Sequence, residues 1–89
     1  MQHSALKPEV SKTAAKYIQS LDKPTRSRIK EKIRELCRFP FDIRISKPLV
    51  GSDKRSARVG AYRILFIVID EETLFVADVG PRGQVYRDA

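Results

Sequence analysis

A chain of 89 residues has room for one compact domain with one modest core, because a domain this small buries only about 60 to 65% of its unfolded surface. A composition of 42% hydrophobic and 33% charged residues excludes a low-complexity polymer, and the longest apolar run, Ile64 to Ile69, falls far short of the roughly 20 residues of a membrane helix. The formal charge of +7 implies attraction to polyanions, either nucleic acid or an acidic partner protein.

The N-terminus "MQHSALKPEV" has no hydrophobic signal region, so the expected compartment is the cytoplasm. "HSALK" is weak evidence for a short strand. Pro8 suits the first turn of a helix, and Val10, Ala14, Tyr17, Ile18 and Leu21 then recur with amphipathic spacing, which predicts a first helix over about 8 to 21. After a break at "DKP", Ile29, Ile33, Leu36 and Cys37 predict a second helix over roughly 24 to 38, stopped by Pro40. Cys37, the single cysteine, cannot form an internal disulfide and reads as a small buried hydrophobe.

"FPFDIRISKPLVGSD" has two prolines, a glycine and no sustained period, so it is expected to be a connection packed down by Phe39, Phe41 and Ile43. Residues 55 to 59, 61 to 69 and 73 to 79 then read as three strands, antiparallel because their connections are short, and "QVYR" offers a fourth pairing.

An even-length turn at "DEET" sets Ile69 opposite Leu74 and Leu65 opposite Asp78. Tyr62, Ile64, Phe66, Val68, Phe75, Ala77 and Val79 then form one apolar face for the helices to cover. The other face carries Arg63, Leu65, Ile67, Val76 and Asp78. Two readings of Arg63 stand side by side: an ion-pair partner of the diagonal Asp78, or a cation fixed on a rigid strand to meet something polar.

The chain offers little conventional catalytic equipment. His3, the only histidine, lies outside every motif, no Cys/His cluster has metal-ligand spacing, and the acids at 70 to 72 read as a solvated turn. No cofactor is implied.

The element order, with "RSARVGAYRILFIVID" and "VADVGPRGQVYRD", closely resembles the RelE/ParE toxin superfamily of toxin–antitoxin systems. The likeness rests on Arg58-Val59-Gly60, Tyr62-Arg63-Ile64, Val79-Gly80, Arg82 and Val85-Tyr86 at their mutual separations, and it covers nearly the whole chain. It implies a small α+β fold: a short N-terminal strand and two helices packed on an antiparallel sheet of three to four strands. It also implies a cognate antitoxin and, in the RelE branch, a ribosome-dependent endoribonuclease that cleaves mRNA in the ribosomal A site. ParE-like members poison DNA gyrase and generally lack the C-terminal arginine and tyrosine, so Arg82 and Tyr86 favour the RelE branch. The alternatives are a non-enzymatic gyrase-binding toxin and an inactive basic nucleic-acid-binding module.

By the same resemblance, Arg63, Arg82 and Tyr86 occupy catalytic positions and Arg58 a basic position on the preceding strand. The other basic position falls nearest Ser56, a departure for which the adjacent Lys54 and Arg55 are the available substitutes. Lys54, Arg55 and Arg58 are accordingly expected to bind substrate phosphates, with a charged, solvated strand edge as the other reading of Lys54. RNA cleavage through its own 2′-hydroxyl needs a base, stabilisation of the phosphorane and a proton for the departing 5′ oxygen. Nearby guanidinium groups favour a Tyr86 phenolate as the base, and the planar forks of Arg63 and Arg82 suit the phosphorane. The general acid is unassigned.

Overall fold

The computed structural model describes residues 5–81. In chain order the elements are β1 (Lys7–Val10), α1 (Lys12–Gln19), α2 (Lys23–Arg38), β2 (Lys47–Pro48), β3 (Arg55–Val59), β4 (Tyr62–Val68) and β5 (Thr73–Pro81). The strands form one sheet in the order β1-β5-β4-β3-β2. β1 runs parallel to β5, and the other pairings are antiparallel. The α+β class is as expected, but the sheet is mixed and has five strands rather than three to four antiparallel ones. His3, Arg82, Tyr86 and the "QVYR" pairing lie outside the described residues.

The start of the first helix needs correction. Pro8 does not open it but sits in β1 opposite Leu74, at the sheet edge, where a residue with no N–H is tolerated. The real signal is Ser11, whose extended backbone (φ −62°, ψ 157°) ends the strand and whose Oγ accepts the Ala14 N–H at 3.0 Å, capping α1. Asp22 likewise caps α2 through Thr25 at 3.4 Å, and a proline stands in its first turn.

Both helices cover one face of the sheet. Ala14, Ile18, Ile29, Ile33, Leu36 and Cys37 pack with Ala57, Val59, Ile64, Phe66, Leu74, Val76 and Val79. Phe66, Ile29, Leu36 and Ile64 are fully buried, and each such side chain stabilises the fold by about 1.5 to 3 kcal/mol relative to exposure.

The expected register holds at one end of the β4–β5 ladder and fails at the other. Leu65 faces Asp78 as anticipated, but Phe66 faces Val76, so Ala77 is an extra residue in β5. This bulge reverses the alternation towards the turn. Leu74 and Val76 enter the core, whereas Phe75 pairs with Ile67 on the opposite face, and Ile69 bonds Thr73 instead of facing Leu74. The bulge is also tied to α1: the Ala77 carbonyl accepts the Ser11 hydroxyl at 2.8 Å.

The connection between α2 and β3 is not packed down by the three residues expected to do so, although Ile45 packs half-buried against the core. Phe39, Phe41 and Ile43 are 55%, 62% and 81% exposed, and the segment is held mainly by polar contacts around Ser46.

Candidate functional site

A tight turn creates the central feature of the site. Gly60 and Ala61 connect β3 to β4, with Gly60 in the left-handed region at φ +57°. A Cβ at this position would also lie 3.0 Å from Arg28 Nη2, an arm of α2. The turn fixes the register Val59–Tyr62, Arg58–Arg63 and Ala57–Ile64. Two arginines therefore stand directly opposite each other on one face, an arrangement that costs stability in a sheet unless an anion offsets it. On its other side, Arg63 faces Gly80 of β5, which has no side chain to fill the space.

A cavity of about 370 Å³ opens in front of this pair. One wall is Ser56, Arg58 and Arg63 of the sheet; the facing wall is the segment from Ile43 to Lys47, and Lys32 of α2 closes the side. Five cations thus converge from four places in the chain: Lys32, Arg44, Lys47, Arg58 and Arg63. Ser56 is buried and accepts from Arg63 Nη1 at 3.4 Å.

Two of the cations are held by carboxylates. Lys32 Nζ lies 2.9 Å from Glu35, and Arg44 makes a two-pronged contact with Asp42 at 2.8 and 3.1 Å. Asp42 also accepts the Arg44 backbone N–H at 2.9 Å. The Arg44 side chain is the main reason that the Asp42 carboxyl is pulled down to about 2.

The expected catalytic residue Arg63 and the expected substrate-binding residues Lys54, Arg55 and Arg58 do not all come together. Arg58 and Arg63 meet at the cavity; Lys54 and Arg55 do not line it. Arg55 donates from Nε to Ser46 Oγ at 3.0 Å and from Nη2 to the Ser46 carbonyl at 3.3 Å, with its guanidinium 5.4 Å from the centre of the Phe41 ring. Lys54 joins the loop before β3, where its carbonyl accepts the Leu49 N–H. Lys32 reads in the sequence as one of the second-helix cations, either a contact to ribosomal RNA or part of a solvated face, and nothing marks it for this cavity; Arg44 and Lys47 go unread because "DIRISK" has no period that marks a wall. The only available hint was cations within an apolar, proline-bounded stretch.

A second cleft, about 680 Å³, is apolar. Leu6, Cys37, Phe39, Phe41 and Val68 line it, with Asp70 and Glu71 at one end. Burial pushes the Cys37 thiol up from its ordinary value, which leaves it a poor nucleophile.

Comparison with known proteins agrees on one kind of molecule. A family model described as the ParE toxin of type II toxin–antitoxin systems, parDE, matches residues 9–86. Among solved structures, the chain is similar to a RelBE toxin–antitoxin complex of Mycobacterium tuberculosis, at 28% identity and TM-score 0.76 over 89% of this chain and 100% of that one. It is also similar to a mutant of the E. coli toxin RelE in the free state, at 27% identity and TM-score 0.78 over 97% and 95%. An archaeal RelE–RelB complex from Pyrococcus horikoshii matches at 25% identity and TM-score 0.73 over 91% and 99%. No curated protein sequence matches the chain.

Proposed function

Since this chain belongs to the ParE toxin family of type II toxin–antitoxin systems, and so to the RelE/ParE toxin superfamily, we propose that it is a ribosome-dependent, metal-independent endoribonuclease that cuts mRNA and halts translation. The observation that carries this reading is the opposed pair Arg58 and Arg63 in the wall of a five-cation cavity. A phosphodiester placed there relieves the like-charge repulsion, and its transition state, with charge spread over the phosphorane oxygens, relieves it further.

In this account Arg63 and Arg58 grip the scissile phosphate, while Arg44, Lys47 and Lys32 hold neighbouring backbone. Arg82 follows Pro81 directly in the chain, and Pro81 pairs with Tyr62, the neighbour of Arg63. That connectivity supports assigning Arg82 to the phosphorane; the resemblance to the RelE branch supports assigning Tyr86 to removal of the 2′-hydroxyl proton. The 2′ oxygen then bonds to phosphorus, the bond from phosphorus to the 5′ oxygen breaks, and the 5′ oxygen takes up a proton. The ribosome would supply the alignment of the strand, worth several orders of magnitude in rate.

Several structural relatives are toxins in complex with RelB antitoxins, which supports a cognate antitoxin for this chain. Its proposed docking surface is the apolar part of the sheet face that carries Arg63. The β5 bulge changes which residues form it: half-buried Ile67 remains there, half-buried Phe75 joins it, and Val76 is withdrawn into the core.

One observation favours the alternative of a gyrase-binding toxin: the matching family model is that of ParE. Programmed ribosomes and a gyrase supercoiling assay, run in parallel, separate the two. Cut mRNA with unimpaired supercoiling supports the nuclease; arrested gyrase with intact mRNA supports the poison, and no effect in either leaves the basic binding module.

A further inference from the structure

Arg55 is the cation of β3 that does not face the cavity, yet its guanidinium is held by three contacts of its own. Its guanidinium contacts one residue twice, at Ser46 Oγ and at the Ser46 carbonyl, while lying over Phe41. Ser46 is itself buried, and its hydroxyl passes the connection on by donating to the Pro40 carbonyl at 3.1 Å. One side chain thus ties three points of the 40–46 segment to the sheet. Immediately beside these points stand Arg44 and Lys47, and Lys47 pairs across β2–β3 with Ser56 on the cavity floor.

The segment has few other ties to the body of the protein. Phe41 and Ile43 are exposed, Ile45 alone of its large apolar residues packs half-buried against the core, and β2 has two residues. Without an anchor, the cations of the facing wall would lie on a loose loop, and ordering them at each binding event would cost conformational entropy.

We propose that Arg55 is a positioning residue: through Ser46 it sets the separation between the wall bearing Arg44 and Lys47 and the wall bearing Arg58 and Arg63. The cavity then meets consecutive phosphates of a single strand without rearrangement. This inference rests on the phosphate-binding reading of the cavity. It assigns Arg55 a role distinct from phosphate contact, since a lysine would preserve contact but cannot reproduce a planar, two-pronged hold stacked on a ring.

The probe is a fluorescent eight-nucleotide RNA with every 2′-hydroxyl methylated, so that it binds without being cut, titrated at several salt concentrations. Ser46→Ala alters no charge, yet is expected to lose about tenfold in affinity and to flatten the salt slope by about 1.4, the loss of two single-strand phosphate contacts. Arg55→Lys should lose as much, and Arg44→Ala with Lys47→Ala should cost little more when added to either. Arg55→Lys keeps the chain's charge and disturbs no buried atom of the core cluster, so it carries the test even if Ser46→Ala fails to fold. Unaltered affinity and slope in folded Arg55→Lys or Ser46→Ala would overturn the positioning role alone. A wild-type protein that ignores the RNA would overturn the phosphate reading and this inference together.

Discussion

Arg58 and Arg63 face each other across the β3–β4 ladder, one turn-set register step from Val59 and Tyr62. Directly opposed like charges on one face of a sheet are destabilising. Function and stability should therefore move in opposite directions at these positions. Arg58→Ala is expected to raise or preserve the midpoint of urea unfolding while reducing the salt slope of RNA binding by about 0.7. A variant that loses stability and keeps its slope would mark the pair as structural.

Gly60 sets that register, and its φ of +57° and its closeness to Arg28 both oppose a side chain. Gly60→Ala should destabilise the protein by roughly 1 to 3 kcal/mol, measured by denaturant unfolding, because alanine at this backbone conformation is strained. Its RNA affinity, measured where the variant is fully folded, should fall as well if the turn aligns the arginines.

Tyr86 and Arg82 have separable roles in the proposed reaction. Tyr86→Phe should slow single-turnover cleavage by at least about a hundredfold while leaving RNA binding nearly intact. Arg63→Ala and Arg82→Ala should each lose more in cleavage rate than in ribosome affinity. Equal losses would make the arginines binding groups only, and full activity in Tyr86→Phe would remove the tyrosine from catalysis.

Asp42 links the facing wall of the cavity to pH. Its carboxyl is held at about 2, below the ordinary 3.8, chiefly by the Arg44 side chain. A depressed carboxylate contributes stability that is fully present above about pH 4 and is lost as pH falls towards 2. Carboxyl chemical shifts across this range should give an Asp42 midpoint near 2, moving up towards the ordinary value in Arg44→Ala. An unchanged midpoint would show that the pair is absent in solution.

Much of the fold was legible because helical spacing and strand alternation are strong signals over long windows. Ile29, Ile33, Leu36 and Cys37 located α2 to within a residue. Alternation cannot, however, reveal an inserted residue. The bulge at Ala77 sends Val76 into the core and Phe75 out of it, and only the three-dimensional pairing shows why. Pro8 was misplaced because a proline that suits the first helical turn also suits an edge strand, and the cap at Ser11 was the better guide.

The site was legible in the same uneven way. Arg58 and Arg63 lie on either side of a glycine-containing turn, where local geometry dictates their meeting. Lys32, Arg44 and Lys47 reach the cavity through contacts between distant segments, which no local pattern encodes. Arg55 looked equivalent to Arg58, yet the strand pleat sends the two towards different partners.

The most direct test of the nuclease account is to map mRNA 5′ ends in a translation system rebuilt from purified components, with and without this protein. The account predicts new ends within the codon occupying the ribosomal A site, requiring ribosomes and sharply reduced in Arg63→Ala. Intact message in the presence of the wild-type protein, with ribosomes confirmed to be programmed, would contradict it.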